Sequence, residues 1–407
     1  MAGDGVKAFT DVRMRGFADR VPVADALRWI DERGHRLAAE EIALADAAGR
    51  VLAAPVRAPA DLPSADCAAL DGFAVRAADT LGAGDYDPAV LRLADPAGPL
   101  PPGNAAMLVA GAALPAGAEA VAPFEWAQAK GKSVEIFAPV AEGSGILRRG
   151  QDIRAGDTVL ADSRRLQPAD LALLAALGIG RISVVRRPLV RLVIAGAKNA
   201  APDADGPMLH NLIARDGGLI EQFATGLADR TAIAAAIAAP GADVVLIAGR
   251  SGTGSDDVAP RALADTGAVA IHGIALKPGG STGMGSVQEI PVILLPGAPL
   301  ACLAAYELFA GRLIRTLGGR GADFPHPMRE IKLAGKLVST IGVVEFRPVR
   351  ISGGGKPAAE PLAVSEGGGL AALREADGFV LVPAALEGWA PGTPIRVYLC
   401  GNEAETP

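Results

Sequence analysis

Cysteine is nearly missing from this chain of 407 residues: there are three, Cys67, Cys302 and Cys400, far apart and without a CxxC pair. That spacing indicates neither a disulfide framework nor a zinc site, and it fits a reducing cytoplasm. Histidine is as sparse, with four residues (His35, His210, His272 and His326) and no HExxH or comparable ligand spacing. Aromatic residues make up 4% of the chain, so alanine, valine and leucine must fill the cores that a 50% hydrophobic content allows. Long apolar runs are also lacking. The stretch 171–185 is broken by Gly and Arg, which argues against a membrane span, and the polar start has no signal-peptide core. There is no basic excess, since 45 acidic residues face 39 basic ones for a net charge of -6, and this argues against non-specific nucleic-acid binding.

Glycine and proline are abundant, and they punctuate. The most informative stretch is 243–257, DVVLIAGRSGTGSDD, where an apolar strand breaks into a glycine-rich turn that ends on two carboxylates. Backbone N–H groups in such a turn point outward at an anion, and neighbouring carboxylates can hold a cation that bridges to it. A Walker loop is excluded, because Ser255 and Asp256 follow Gly254 where lysine and a hydroxyl belong. A dinucleotide fingerprint is excluded because the loop lies past mid-chain. Alone, the loop fits an anion site and a plain strand-to-helix turn equally.

The length predicts more than one domain. Residues 21–54 carry helical periodicity that Pro55 ends, and 55–144 reads as a small β-rich insertion punctuated by Gly and Pro. Residues 167–177 form an amphipathic helix with Pro168 in its first turn. Short apolar runs at 189–194, 244–247, 268–271 and 292–295 alternate with helical segments at 208–215, 229–238, 258–266 and 300–317, which predicts a mainly parallel sheet with helices on both faces. Three of those runs end in glycine turns (195–198, 249–257, 296–299), and a fourth turn, KPGG, occupies 277–280. Ligands of such sheets bind beyond the carboxyl ends of the strands. From 324 onward, short strands at 331–337, 343–351, 379–383 and 395–399 predict a small β domain.

Read in order, 62–76 (LPSADCAALDGFAVR), 103–125, 150–153 (GQDI) and 166–188 resemble the molybdopterin molybdenumtransferase family, represented by bacterial MoeA and the E-domain of gephyrin, over about 21–399. The resemblance implies a multidomain α/β plus β fold: a central three-layer α/β domain with a mainly parallel, MogA-like sheet (183–322), a β-rich inserted domain (57–144), a helical and extended N-terminal domain (18–56 and 145–182), and a small barrel-like C-terminal β domain (323–407) after a polar arm (1–17). It implies molybdenum cofactor biosynthesis: binding of adenylylated molybdopterin, Mg2+-dependent cleavage and insertion of molybdate, by a cytoplasmic homodimer with no nucleic-acid or membrane partner.

Carried over position by position, Asp71, Asp152, Asp256 and Asp257 are the candidate catalytic carboxylates, with Asp71, Asp152 and Asp257 for the cation. Gly249, Ser251, Gly252, Thr253, Gly254, Ser255, Lys277, Gly279, Ser281, Pro296, Gly297 and Lys198 are the candidates for the pterin phosphates. Structural alternatives stand beside these: an Asx turn for Asp71, and caps for a helix starting at Val258 for Asp256 and Asp257. Departures fall on the loops. The family's TGDEL is AGAKN at 195–199, which puts Lys198 on its glutamate. The first aspartate of SGGVSVGDYD falls on Ser255, the second lysine of KPGKP is Gly280, and the asparagine of LPGNP is Ala298. These changes motivate an alternative function, a non-enzymatic molybdopterin or molybdenum-cofactor carrier or insertion chaperone for a client molybdoenzyme.

Overall fold

The computed structural model describes residues 9–196, 203–353, 356–364 and 369–401, which divide between two compact units, one holding Glu41–Val184 and the other the residues on either side of it. The larger unit begins with α1 (Val23–Asp31) and continues as β1 (Leu189–Ala195), α2 (Asp205–Arg215), β2 (Leu219–Leu227), α3 (Arg230–Ala238), β3 (Val244–Ala248), α4 (Ala259–Thr266), β4 (Ala268–His272), β5 (Leu276–Lys277), β6 (Gly283–Val287), β7 (Ile290–Leu295) and α5 (Pro299–Ala305). Helix α5 runs through a π turn at Tyr306–Ala310 into α6 (Gly311–Leu317).

The sheet order is β2-β1-β3-β7-β6-β4; the first four strands are parallel, β6 runs antiparallel to β7, and β4, antiparallel to β6, runs with the first four. Strand periodicity sorts the core. Val190, Leu192, Val244, Leu246, Ile293 and Leu295 face one helical layer containing Trp29 and Ile30 of α1, Phe309 of the π turn and Leu313 of α6. Val193, Val245, Ile247, Val292 and Leu294 face the other, formed by Ile233 and Ile237 of α3 and Leu263 of α4. Burial on both faces explains the near-continuous apolar runs, interrupted in β1 by the buried Arg191. Because β1, β3 and β7 are adjacent and parallel, their carboxyl ends lie on one edge.

The chain then forms a barrel. Strands β8 (Met328–Leu333), β9 (Val344–Ser352), β10 (Ala358–Pro361), β11 (Gly378–Val382) and β12 (Pro394–Leu399) pair in the cycle β9-β10-β8-β12-β11 and back to β9, so five strands close without a free edge. The expected multidomain α/β fold with a C-terminal barrel is therefore present.

In the smaller unit, six strands order as Ala120–Pro123, Gly72–Val75, Asn104–Leu108, Ala89–Leu93, Ser133–Ile136 and Ala127–Lys130. A second core there joins Leu52, Leu166 and Val184 to Leu174 of the helix Pro168–Ala176, whose first turn is closed by Gln167 and Asp170. One expectation fails: the periodicity of 39–54 does not give helix. Those residues form the strand Ala39–Ala43 and a single 3-10 turn, Leu44–Asp46. Only Ala47, Val51 and Leu52 of that stretch are buried, so no apolar stripe exists to hold a helix against a core. Among the described residues no helix is long and apolar enough to cross a membrane.

Candidate functional site

The loop after β3 is shaped by close approaches. Gly249 adopts φ +92°, and a Cβ there would lie 2.4 Å from the carbonyl oxygen of Ala195 at the end of β1. A Cβ on Gly297, just past β7, would lie 3.1 Å from the Cα of Gly249. Three strand ends thus meet backbone to backbone, and glycine is required where they touch. Gly249 also donates its N–H to the carbonyl of Leu295 at 3.0 Å, and Ser251, 1% exposed, donates its hydroxyl to the same oxygen at 3.1 Å. The Ser251 hydroxyl is consequently a brace in this conformation.

Farther along, Asp257 Oδ2 accepts the Gly254 N–H at 2.7 Å, so its carboxylate closes the loop from beneath. Neither Asp256 nor Asp257 caps the following helix, which starts with Pro260 in its first turn and no side-chain cap. Asp256 projects into solvent with Arg250 Nη1 at 3.7 Å. Ser255 is exposed, and its hydroxyl lies 3.3 Å from Asp256 Oδ1.

This bracing leaves a row of unused donors. Among the described residues, the backbone N–H groups of Arg250, Ser251, Gly252, Thr253, Ser255 and Asp256 find no acceptor, nor do those of Gly297 and Ala298. The same holds for Gly279, Gly280 and Ser281 in the turn after β5. Successive free amides make an anion-binding concavity. The 277–281 turn is fixed by buried Thr282, whose hydroxyl donates to the Gly279 carbonyl at 2.7 Å, and Gly279 adopts φ +124°, where a Cβ would also stand 2.7 Å from the Leu276 side chain. Lys277 is exposed and has no acidic partner among the described residues. Its strand β5 pairs with β9 of the barrel, setting Lys277 opposite Glu345 in register. Glu345 is buried and bonded to Arg347, with its other oxygen unpartnered.

The polar arm is part of this edge. Met14 donates its N–H to the Thr253 carbonyl at 2.7 Å, and Arg13, held by Asp11, reaches the Ser255 carbonyl at 3.2 Å. Phe17 packs its ring 5.0 Å from that of His272, at the end of β4. Burial pushes the His272 pKa below its ordinary value, and Nε2 meets the Ser251 carbonyl at 2.9 Å. His272 is therefore a neutral strut between β4 and the glycine loop. Asp205, at the start of α2, was not singled out by sequence. Burial, then the charge of Asp203, pushes its pKa up to about 7, and one of its oxygens is buried without a partner.

Lys198 lies outside the described residues. Asp71 and Asp152 belong to the smaller unit, and both are exposed. Asp71 Oδ1 accepts the Ala110 N–H at 2.7 Å, bridging to another loop rather than forming a local Asx turn. Among the described residues no group of three or more His, Cys, Asp or Glu is gathered as a metal cage.

Comparison with known proteins decides the family. The MoeA N-terminal region (domain I and II) matches residues 21–178, a probable molybdopterin binding domain matches 183–316, and the MoeA C-terminal region (domain IV) matches 330–400. Molybdopterin molybdenumtransferase 2 of Mycobacterium tuberculosis is 30% identical over 389 residues, which cover 88% of this chain and 94% of that protein. The chain belongs to the molybdopterin molybdenumtransferase family. A putative molybdopterin biosynthesis protein of Methanocaldococcus jannaschii is 29% identical over 379 residues, covering 88% of this chain and 92% of that one. The crystal structure of a molybdopterin biosynthesis MoeA protein from Pyrococcus horikoshii superposes with a TM-score of 0.77 at 30% identity, covering 94% of this chain and 100% of that one. The family match begins at residue 21, so the arm residues that reach the glycine loop precede it.

Proposed function

We propose that this chain acts in molybdenum cofactor biosynthesis by binding adenylylated molybdopterin and inserting molybdate in a Mg2+-dependent reaction. The observation that carries the reading is the set of free amides on the loops after β3 and β7 and in the turn after β5, which also carries the unneutralised Lys277. The amides bind the phosphate oxygens of the pterin ligand, and Lys277 offsets their charge. Mg2+ characteristically keeps several waters and uses one or two carboxylates together with substrate phosphates. Asp256, and the oxygen of Asp257 not bonded to Gly254, fit that donor set without a protein cage. Held by these carboxylates, a Mg2+ ion would supply charge neutralisation for cleavage of the bond that releases AMP. Asp71 and Asp152 are proposed from the family pattern as further carboxylates for cation or molybdate. A cytoplasmic homodimer serving a client molybdoenzyme completes the reading.

A second reading has its own support. Ser255 stands where the family pattern places an acidic residue, and Lys198 where it places a glutamate, while the glycine loops are kept. These observations favour a carrier or insertion chaperone that holds the pterin without turnover. The deciding assay follows AMP release from adenylylated molybdopterin with Mg2+ and molybdate, under anaerobic conditions. Release that requires both supports the transferase. Tight pterin binding without release supports the carrier, and absence of binding to either pterin form removes both.

A further inference from the structure

The turn 277–281 carries one lysine where the family pattern has two, the second position being Gly280. A Cβ built on Gly280 would meet the guanidinium of Arg20: Cζ at 3.2 Å, Nη1 at 3.3 Å and Nη2 at 3.4 Å. The arm thus places a cation at the point where a side chain on residue 280 would begin.

Arg20 is held there by its neighbours in sequence. The Phe17 ring fills the notch above Gly273, where a Cβ would come within 2.4 Å of it. Val21 donates its N–H to the Gly273 carbonyl at 3.0 Å and accepts from Ala275 N–H at 2.8 Å. Between those anchors the Arg20 guanidinium lies 5.8 Å from the Phe17 ring centroid. It is exposed and has no carboxylate partner among the described residues, in a protein whose net charge is -6. Two uncompensated cations, Arg20 and Lys277, therefore flank the free amides of Gly279, Gly280 and Ser281.

We propose that Arg20 is a ligand-binding residue: the arm supplies in space the second cation that the turn lacks in sequence, and its guanidinium takes a tetrahedral oxyanion seated on those amides. Guanidinium suits this task because its planar fork donates two parallel hydrogen bonds to one phosphate-like group. The oxyanion is either a phosphate of the pterin ligand or molybdate. The inference rests on the reading of this turn as an anion site.

The test titrates full-length protein anaerobically with molybdopterin, and separately with sodium molybdate, across a salt series. Arg20→Gln is expected to weaken one of the two probes about tenfold, equivalent to about 1.4 kcal/mol, and to flatten its salt dependence. The probe affected identifies the oxyanion. Arg20→Lys should retain most of the affinity, and Arg20→Gln with Gly280→Lys should recover it by returning the cation to the turn. If Lys277→Ala weakens binding while Arg20→Gln does not, this inference falls and the anion-site reading stands. If neither variant weakens either probe, both fall. A loss in Arg20→Gln that leaves the salt dependence unchanged and is not recovered by Gly280→Lys marks Arg20 as a structural anchor and overturns the proposal.

Discussion

Gly249→Ala tests the packing of the three loops most directly. At φ +92° an L residue is strained by about 1–2 kcal/mol. The added Cβ would sit 2.4 Å from the Ala195 oxygen, a contact with backbone that no rotamer can relieve. Overpacking of that kind costs about 1–3 kcal/mol, for a total of about 2–5 kcal/mol. Against a typical stability of about 5–15 kcal/mol this is a large local loss. Gly252→Ala is the matched control. Gly252 has ordinary φ, and its Cβ would meet the Asp257 carboxylate at 2.7 Å, a side chain able to rotate away. Its expected effect is about 1 kcal/mol, the loss of one hydrogen bond. Hydrogen exchange of peptides covering β3 and β7 reads the opening free energy of these strands in each variant. If Gly249→Ala protects β3 as well as Gly252→Ala does, the strand ends are not jammed together and the account of the cradle fails.

Asp257→Asn keeps an oxygen for the Gly254 N–H but removes the charge. Molybdopterin binding should persist while AMP release requires several-fold more Mg2+; an unchanged Mg2+ dependence would confine Asp257 to bracing the loop. Asp205 binds a proton in the folded state up to about pH 7, whereas its unfolded value is near 3.8. The folded state therefore holds more protons between those values, and this group's contribution to stability falls as pH rises from about 4 to about 7, then levels. Asp205→Asn should remove that slope and stabilise the protein at pH 8 by about 1–3 kcal/mol. Parallel melting curves from pH 4.5 to 8 would show that Asp205 is not buried as described.

The sheet was legible where burial is simple. Residues 189–194, 244–247 and 292–295 read as strands because both their faces are covered and every position except the buried Arg191, which is paired with Glu221, is apolar. Strand β2, LIEQFATGL, escaped because it is an edge strand with much of its surface exposed. Strand β6, GMGSV, escaped for the opposite reason. A Cβ on Gly285 would lie 2.1 Å from the Ala268 carbonyl, so its glycine is a packing requirement that resembles a turn in sequence. The helical texture of 39–54 misled because alanine and glutamate favour helix in isolation, and tertiary context decided otherwise. The loops were legible as glycine clusters at strand ends, while the candidate carboxylates Asp71 and Asp152 were drawn from the family motifs alone. Arg20 was not, since its role depends on Phe17, Val21 and Gly273 meeting across more than 250 positions of chain. A phenylalanine three residues before Arg20, in a largely polar arm, was the available signal.

Strand β5 is two residues long, yet its pairing with β9 bears on how this architecture can be rearranged. A shortened chain that kept 183–316 would retain the meeting of β1, β3 and β7 but would strip the lysine-bearing turn of its neighbouring strand. The barrel and the sheet therefore form one heritable unit. Exchange of the C-terminal domain between relatives should succeed only where the incoming barrel offers a compatible stave to Leu276 and Lys277.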